Sequence, residues 1–239
     1  MGGIFSTMKI RSLLFNILFY GATVVMVIVA MPLLVMPYRF TKKLQHFWSW
    51  MMEGLLKHIV GVTHRIEGTP SDHAVIYASK HQSAWETIFL YGKLGSPAPV
   101  FKRELIFIPI LGLFFLKAPS IAIDRSAGRS ALKRLVASAN KIKAIGDGIL
   151  IYPQGTRVAS GQHHPYHSGT YAIYKATGLP VVPIALNSGV CWPRNSFIKR
   201  RGVIDVKLLP EIPPGLDRQT FMKRLEHDIE TATDLLPKS

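Results

Sequence analysis

Residues 77–90, YASKHQSAWETIFL, contain the pattern of a strand, a turn and a helix within one short stretch. A β-rich run ends at Ala78, and Ser83 followed three residues later by Glu86 forms the S-x-x-E pattern that often begins a helix. His81 would then lie in the turn between them. Because α/β folds usually place their functional groups where strands end, this stretch predicts an α/β fold with a candidate site at His81.

β-rich and helical segments alternate along the rest of the chain from about residue 61. Such alternation predicts an α/β fold in which a mixed, largely parallel sheet is flanked by helices. The candidate strands are residues 74–78, 99–102, 120–123, 148–152, 181–186 and 203–208. The candidate helices are residues 84–94, 128–145, 168–177 and 218–236.

The N-terminal part is strongly apolar: the 27 residues from Ser12 to Tyr38 carry no charge. As a helix this segment would be ~40 Å long, which exceeds the ~30 Å of a bilayer's hydrocarbon core. A signal peptide would normally have a shorter apolar region followed by small residues at a cleavage site, so the pattern favours a retained membrane anchor. Basic residues on both flanks also fit a monotopic insertion, which enters and leaves by one face.

Residues 40–60, FTKKLQHFWSWMMEGLLKHIV, follow the anchor as an amphipathic helix. Phe47, Met51, Leu55 and Ile59 recur at helical spacing with two tryptophans nearby, which is typical of a helix lying in the lipid headgroup layer. A helix packed on the domain would show the same spacing, so the pattern leaves both arrangements open.

A second apolar run, LIFIPILGLFFL, occupies residues 105–116. It is too short to span a bilayer and is interrupted by Pro109 and Gly112. We therefore expect this segment either to be buried or to dip into the lipid surface.

The charge balance restricts the partners. Among 239 residues, 29 are basic and 14 acidic, giving a formal net charge of +15 that favours phosphorylated metabolites, anionic lipids or nucleic acid. The sequence contains no recognisable RNA-binding or helix-turn-helix signature, so we expect no nucleic-acid partner. A non-catalytic, membrane-tethered protein that binds anionic ligands is the alternative to an enzyme.

The single cysteine, Cys191, excludes an internal disulfide and an all-cysteine metal site.

His81 and Glu86 are the candidate catalytic pair. Five residues along a helix correspond to about 500°, so the two side chains can meet only if His81 precedes the helix. A carboxylate beside an imidazole fixes the tautomer and stabilises the imidazolium that forms when the ring accepts a proton. In the alternative interpretation, Glu86 only caps the helix and His81 is a polar loop residue.

Basic groups follow three further candidate strands. Lys102 lies in FKREL, Arg125 in IAIDRS, and YPQGTR ends in Gly155, Thr156 and Arg157. A glycine lets the backbone approach an anion, a threonine offers a hydroxyl, and a guanidinium binds phosphate through two parallel hydrogen bonds. Together with the candidate histidine at a fourth strand end, these groups predict one anion-binding site.

The segments KHQSAWE, IAIDR, YPQGTR and LPVVPI, in this order, resemble the four sequence blocks of the glycerolipid acyltransferases, a family that includes the 1-acylglycerol-3-phosphate acyltransferases. The resemblance covers about residues 60–210. It implies a glycerol-phosphate acyltransferase-like fold at residues 61–239, with residues 1–60 as the membrane anchor and interfacial helix.

The resemblance also implies roles for the residues. His81 would deprotonate the sn-2 hydroxyl of 1-acylglycerol-3-phosphate, which then attacks an acyl thioester of coenzyme A or acyl-carrier protein to give phosphatidic acid. Glu86 would take the acidic position of the first block. The phosphate would be held by Lys102, Arg125, Gly155, Thr156 and Arg157. No cofactor, metal or acyl-enzyme is implied, and the expected location is the cytoplasmic face of a bacterial inner membrane. Another lysolipid, such as a lyso-ornithine lipid, is the alternative acceptor.

Two residues depart from the family pattern. The first block usually ends in Asp, and Glu86 is longer by one methylene. The third block usually reads P-E-G-T-R, and Gln154 replaces the glutamate, keeping an acceptor oxygen but losing the charge. We expect activity to persist, and our hypothesis is that Arg157 is less neutralised and therefore freer to bind phosphate.

Three histidines, His163, His164 and His167, lie close together in GQHHPYHSGT. Metal sites combine histidine with carboxylate or thiolate ligands. Because no carboxylate is near them in the sequence, we expect a loop without a metal.

Overall fold

The computed structural model describes residues 2–124 and 128–238; the candidate residue Arg125 lies outside the described residues. The helices are α1 (Gly2–Val29), α2 (Tyr38–Leu55), α3 (Tyr91–Lys93), α4 (Leu111–Lys117), α5 (Gly128–Ala144), α6 (Gly169–Thr177), α7 (Ser188–Cys191) and α8 (Arg218–Asp234). The strands are β1 (Val62–Glu67), β2 (Ile76–Ser79), β3 (Ala98–Lys102), β4 (Ile121–Ile123), β5 (Ile149–Ile151), β6 (Val181–Leu186) and β7 (Gly202–Leu208). Residues Met31–Leu34 and Arg103–Phe107 form 3₁₀ turns, and Leu56–Val60 and Glu86–Leu90 form π-helical turns.

Within the described ranges the seven strands form one sheet in the order β1-β7-β6-β2-β5-β3-β4. The run from β6 to β4 is parallel throughout, β7 is antiparallel to β6, and β1 is parallel to β7. The predicted mixed, largely parallel sheet flanked by helices is therefore confirmed. Because parallel strands point the same way and neighbours lie about 4.8 Å apart, the residues that follow β2, β5, β3 and β4 meet at one edge.

Alternation along β2 decides which side of the sheet His81 faces. Val75 and Tyr77 belong to a core shared with α1, α2 and the Glu86–Leu90 turn, whereas Ile76 and Ala78 belong to a second core with α5, α6 and α8. Since side chains alternate with a period of two residues, His81 continues the first set. The candidate base therefore lies on the side of the N-terminal helices.

One face of α1 packs against the domain. Phe15 is fully buried and Phe19 nearly so, and the rings of both lie within 6.0 Å of the Trp192 ring, centroid to centroid. The Lys199 backbone N–H donates to Ser12 Oγ at 2.9 Å. These contacts hold the first half of α1 against the loop before β7.

The opposite face of α1 is apolar and exposed. An 18-residue window within Ser6–Val29 has a mean hydropathy of 2.2, and by length and composition this helix can cross a membrane. Its exposed side chains include Ile10, Leu13, Leu14, Ile17, Val24, Val25 and Ile28. A face of this kind is typical of a helix in contact with lipid.

The amphipathic segment 40–60 packs on the domain along one face and is exposed along the other. Met51, Leu55 and Ile59 pack against the core, while Phe47 and Trp50 on α2 are exposed. The helix is therefore a packed element of the fold that also presents aromatic rings outward.

The apolar run 105–116 is exposed rather than buried at Phe107, Leu113 and Leu116, so a buried position is wrong for these side chains. Lys117 Nζ donates to the Leu34 carbonyl at 2.9 Å, which ties α4 to the turn between α1 and α2. Two exposed apolar segments that are distant in the sequence therefore lie next to each other.

Candidate active site

His81 and Glu86 meet as the sequence predicted. His81 Nδ1 lies 2.8 Å from Glu86 Oε1, and the histidine side chain is 12% exposed while the glutamate side chain is fully buried. An ionised carboxylate only accepts hydrogen bonds, so Nδ1 carries the proton of the neutral ring. Nε2 then holds the free lone pair. The ring is thus held through Nδ1 by a carboxylate, and Nε2 is the nitrogen that can accept a proton.

Glu86 also caps the start of its own helix. The backbone N–H groups of Gln82 and Ser83 both donate to Glu86 Oε1 at 2.7 Å, and Ser83 Oγ accepts from the Trp85 N–H at 2.8 Å. The expected capping box forms, except that the serine accepts from Trp85 rather than from the Glu86 amide. One oxygen of Glu86 therefore both caps the helix and contacts the histidine.

The charge of Glu86 is maintained by these donors. Burial would by itself raise the pKa of this carboxyl, but the His81 contact, the Ser83 amide and a hydroxyl donated by Ser188 together lower it below its ordinary value. Glu86 is therefore ionised at neutral pH and can stabilise a protonated His81.

The segment after β5 packs on His81 from the other side. The Tyr152 ring stacks on the imidazole at 4.1 Å between centroids and 23° between planes. Gln154 Oε1 accepts from the His81 N–H at 3.1 Å, and the Val158 N–H donates to the His81 carbonyl at 2.7 Å. The amide oxygen of Gln154 thus accepts a hydrogen bond that a glutamate carboxylate at this position could also accept.

The turn at residues 155–157 begins with a residue that must be glycine. Gly155 has φ +64°, and a Cβ there would lie 2.6 Å from His167 Cδ2. Thr156 and Arg157 are partly exposed. Within residues 2–124 and 128–238 the Arg157 guanidinium has no hydrogen-bond or ion-pair partner, so its donors are available to an anion.

Lys102 lies at the end of β3, two strands from β2 in the sheet order. Its side chain is half exposed, and its Nζ lies 3.7 Å from Glu104 Oε1 in a weak, exposed ion pair. The sheet therefore brings His81, the 155–157 turn and Lys102 to one edge, while Arg125 falls on residues outside the description.

Sequence reasoning missed Tyr152 and Ser188 as parts of this site. Tyr152 was marked only by its position directly after β5 and before the Gly-Thr-Arg turn. No sequence signal marked Ser188, which lies 102 residues from Glu86 along the chain.

Carboxylates that are distant in the sequence lie close to His163 in the histidine loop. Its Nδ1 lies 3.0 Å from Glu230 Oε2, and its Nε2 lies 3.7 Å from Asp234 Oδ2, both on α8. In the described part of the chain no group of three or more His, Cys, Asp or Glu side chains is arranged to hold a metal ion.

Comparison with known proteins identifies the family of the chain. A family model described as Acyltransferase matches residues 61–187, more than half of the chain. The 1-acyl-sn-glycerol-3-phosphate acyltransferase of Pseudomonas aeruginosa is 36% identical over 165 residues, covering 68% of this chain and 64% of that protein. The enzyme of the same name from Limnanthes douglasii is 29% identical over 206 residues, covering 82% of this chain and 72% of that protein.

A solved structure shares the fold. The crystal structure of the 1-acyl-sn-glycerophosphate (LPA) acyltransferase PlsC from Thermotoga maritima matches with a TM-score of 0.78 and 19% identity, covering 97% of this chain and 99% of that one. The chain spans just under two thirds of its Pseudomonas relative. The family model, the sequence relatives and the site geometry lead to one conclusion: the chain belongs to the acyltransferase family.

Proposed function

We propose that the protein transfers a fatty acyl group from a thioester to the sn-2 hydroxyl of 1-acylglycerol-3-phosphate, giving phosphatidic acid. The observation that carries this proposal is the contact between His81 Nδ1 and the buried Glu86, which leaves Nε2 as a proton acceptor. The activity named for the Pseudomonas relative supports the choice of acceptor.

The chemistry follows from the protonation states. His81 Nε2 accepts the proton of the acceptor hydroxyl as its oxygen attacks the thioester carbonyl, and Glu86 stabilises the resulting imidazolium. The tetrahedral intermediate then expels the thiolate, which takes the proton from His81 Nε2 and leaves as a thiol. The ring returns to its starting tautomer, and the acyl group is never attached to the protein.

The phosphate of the acceptor would be held across the sheet edge. Arg157 offers a guanidinium that is unpaired within the described residues, Gly155 lets the backbone come close, and Thr156 supplies a hydroxyl. Lys102 adds a second positive charge two strands away. We include Arg125 in the same role, from its sequence position two residues after the end of β4.

The orientation of the site supports a lipid substrate. His81 lies on the side of the sheet that α1 and α2 cover, and α2 packs on the helix that carries Glu86, with Ser49 Oγ donating to the Ile88 carbonyl at 3.3 Å. The exposed apolar face of α1 then lies in the membrane, at the cytoplasmic face where coenzyme A or carrier-protein thioesters are available. An acceptor and product that stay in the bilayer would therefore approach the base from the anchored side.

The test is acyl transfer from radiolabelled acyl-coenzyme A and from acyl-carrier protein to lysolipids in anionic vesicles. We expect His81→Ala to lower kcat by about 10²–10⁴-fold, the usual contribution of a general base. His227→Ala, at an exposed position on α8, is the matched control. Retained activity in a folded His81→Ala protein would contradict the mechanism. No transfer by the folded, unsubstituted protein to any lysolipid would instead favour a non-catalytic, anionic-ligand-binding role.

The acceptor is tested by the phosphate-binding group. Arg157→Ala should raise the KM for 1-acylglycerol-3-phosphate about 10- to 100-fold, because a hydrogen bond to a charged group contributes about 1.5–3 kcal/mol. Arg224→Ala, on the exposed surface of α8, should leave this KM unchanged. A lyso-ornithine lipid assayed in parallel gives the alternative: faster transfer to that acceptor, with no effect of Arg157→Ala, would overturn the phosphate assignment.

A further inference from the structure

The turn that follows β6 contacts Glu86 of the candidate site from a distant part of the sequence. β6 is buried along its whole length and ends at Leu186, and the next residues, Asn187, Ser188 and Gly189, enter the short helix α7. Ser188 is fully buried, and its Oγ donates to Glu86 Oε2 at 2.7 Å. The proposed roles of His81 and Glu86 do not by themselves account for this contact.

The two oxygens of Glu86 are satisfied very differently. Oε1 accepts from His81 Nδ1 and from the amides of Gln82 and Ser83. Oε2 accepts from Ser188 and, among the described residues, from no other donor. A buried carboxylate oxygen without a donor is the place where a proton binds most readily, because neutralisation removes the cost of burying charge.

The turn is held rigidly enough to aim this hydroxyl. Asn187 Oδ1 accepts from the Asp205 N–H at 2.8 Å, and its Nδ2 donates to the Pro237 carbonyl at 2.9 Å. The Gly189 N–H donates to Gln82 Oε1 at 3.0 Å, and a Cβ on Gly189 would come within 3.1 Å of the Gln82 side chain. The turn is thus fixed to β7, to the C-terminal segment and to the residue that follows His81.

We propose that Ser188 is a positioning residue of the active site, whose hydroxyl keeps the Glu86 carboxylate charged and aligned against His81 Nδ1. This role rests on the proposed function of His81 as the base. In this role Ser188 contacts neither the acceptor hydroxyl nor the thioester and acts only through Glu86. Without its hydrogen bond, Glu86 takes up a proton on Oε2 at a higher pH, and a neutral Glu86 no longer stabilises the imidazolium.

The experiment compares Ser188→Ala with Ser188→Thr, which keeps the hydroxyl, and with Thr177→Val, which removes a buried hydroxyl that donates to a carbonyl within α6. For Ser188→Ala we expect the acid limb of the kcat/KM profile to shift upward by about one pH unit, since a hydrogen bond to a charged group is equivalent to about one to two pKa units. The plateau should fall about tenfold at an unchanged acceptor KM. Ser188→Thr should restore the limb, and Thr177→Val should leave it in place.

An infrared titration reads the carboxyl group without using activity. The C=O band of a protonated Glu86, identified by its absence in Glu86→Gln, should appear at higher pH in Ser188→Ala than in the unsubstituted protein. A Ser188→Ala protein with an unshifted limb and an unshifted band overturns the role of Ser188, whatever its stability. If instead His81→Ala is fully active, the proposed function fails, and the infrared titration still decides whether Ser188 keeps Glu86 charged.

Discussion

Lys80, directly before His81, forms a buried ion pair whose removal should destabilise the fold strongly. Its side chain is 2% exposed, and its Nζ lies 2.6 Å from Glu230 Oε1 and 2.5 Å from Oε2. The same carboxylate accepts from Tyr166 OH at 2.8 Å and contacts His163. Glu230 therefore joins the end of β2, the loop after β5 and α8.

Lys80→Met leaves the Glu230 carboxylate in place without its cation. Breaking a buried pair in this way typically costs about 3–5 kcal/mol, because the remaining charge is buried and uncompensated. Domains are usually stable by about 5–15 kcal/mol, so the loss is a large part of the total. In the double variant Lys80→Met/Glu230→Gln that charge is absent, and most of the stability should return.

The assay is urea unfolding in detergent micelles followed by circular dichroism. The control is Lys207→Met, because Lys207 Nζ pairs with Glu67 Oε2 at 3.0 Å while the two side chains are 37% and 69% exposed. An exposed pair contributes about 0–1 kcal/mol. The reasoning is refuted if Lys80→Met costs no more than Lys207→Met, or if the double variant is less stable than Lys80→Met alone.

Three further predictions concern Lys199, which contacts α1, and the candidate site residues Tyr152 and Gly155. Burial lowers the pKa of Lys199 to about 8, whereas in the unfolded chain it stays at about 10.5. Between these two pH values the unfolded state binds more protons, so the stability of the folded protein rises with pH. The thermal midpoint of the unsubstituted protein should therefore rise relative to that of Lys199→Met over this range. Tyr152→Phe should leave kcat unchanged because the buried hydroxyl has no partner in the described structure, whereas Tyr152→Leu, which loses the stack on His81, should lower kcat by up to about tenfold. Gly155→Ala should raise the acceptor KM, since its Cβ displaces His167 and the positive φ costs about 1–2 kcal/mol; an unchanged KM would contradict the placement of the phosphate at this turn.

The local parts of the site were predictable because their signals lie within a few residues. The strand before His81, the turn and the helix begun by Ser83 and Glu86 follow from hydrophobic pattern and capping alone. The convergence of Lys102 with the 155–157 turn follows from the rule that parallel strands end at one edge of a sheet. None of these steps requires knowing which strands are hydrogen-bonded to each other in the sheet.

The parts that sequence could not provide depend on distant segments. β1 was missed because only Val62 in VTHRIE is buried, and the strand pairs with β7, about 140 residues later. The Ser188 hydroxyl reaches Glu86, and the Glu230 carboxylate reaches Lys80, only by folding of the whole chain, and neither belongs to a local motif. The carboxylate that contacts His163 could not be found from the loop sequence for the same reason, since α8 supplies it.

Glu86 Oε1 is shared between the helix start and the imidazole, so two backbone protons report on the Glu86 carboxylate. The amide hydrogens of Gln82 and Ser83 are protected from exchange with solvent while this oxygen stays in place. Deuterium uptake at these two positions would therefore follow the state of the carboxylate in the resting protein, before any lipid is added. A ligand or substitution that loosens the pair would be detected there even when turnover is too slow to measure.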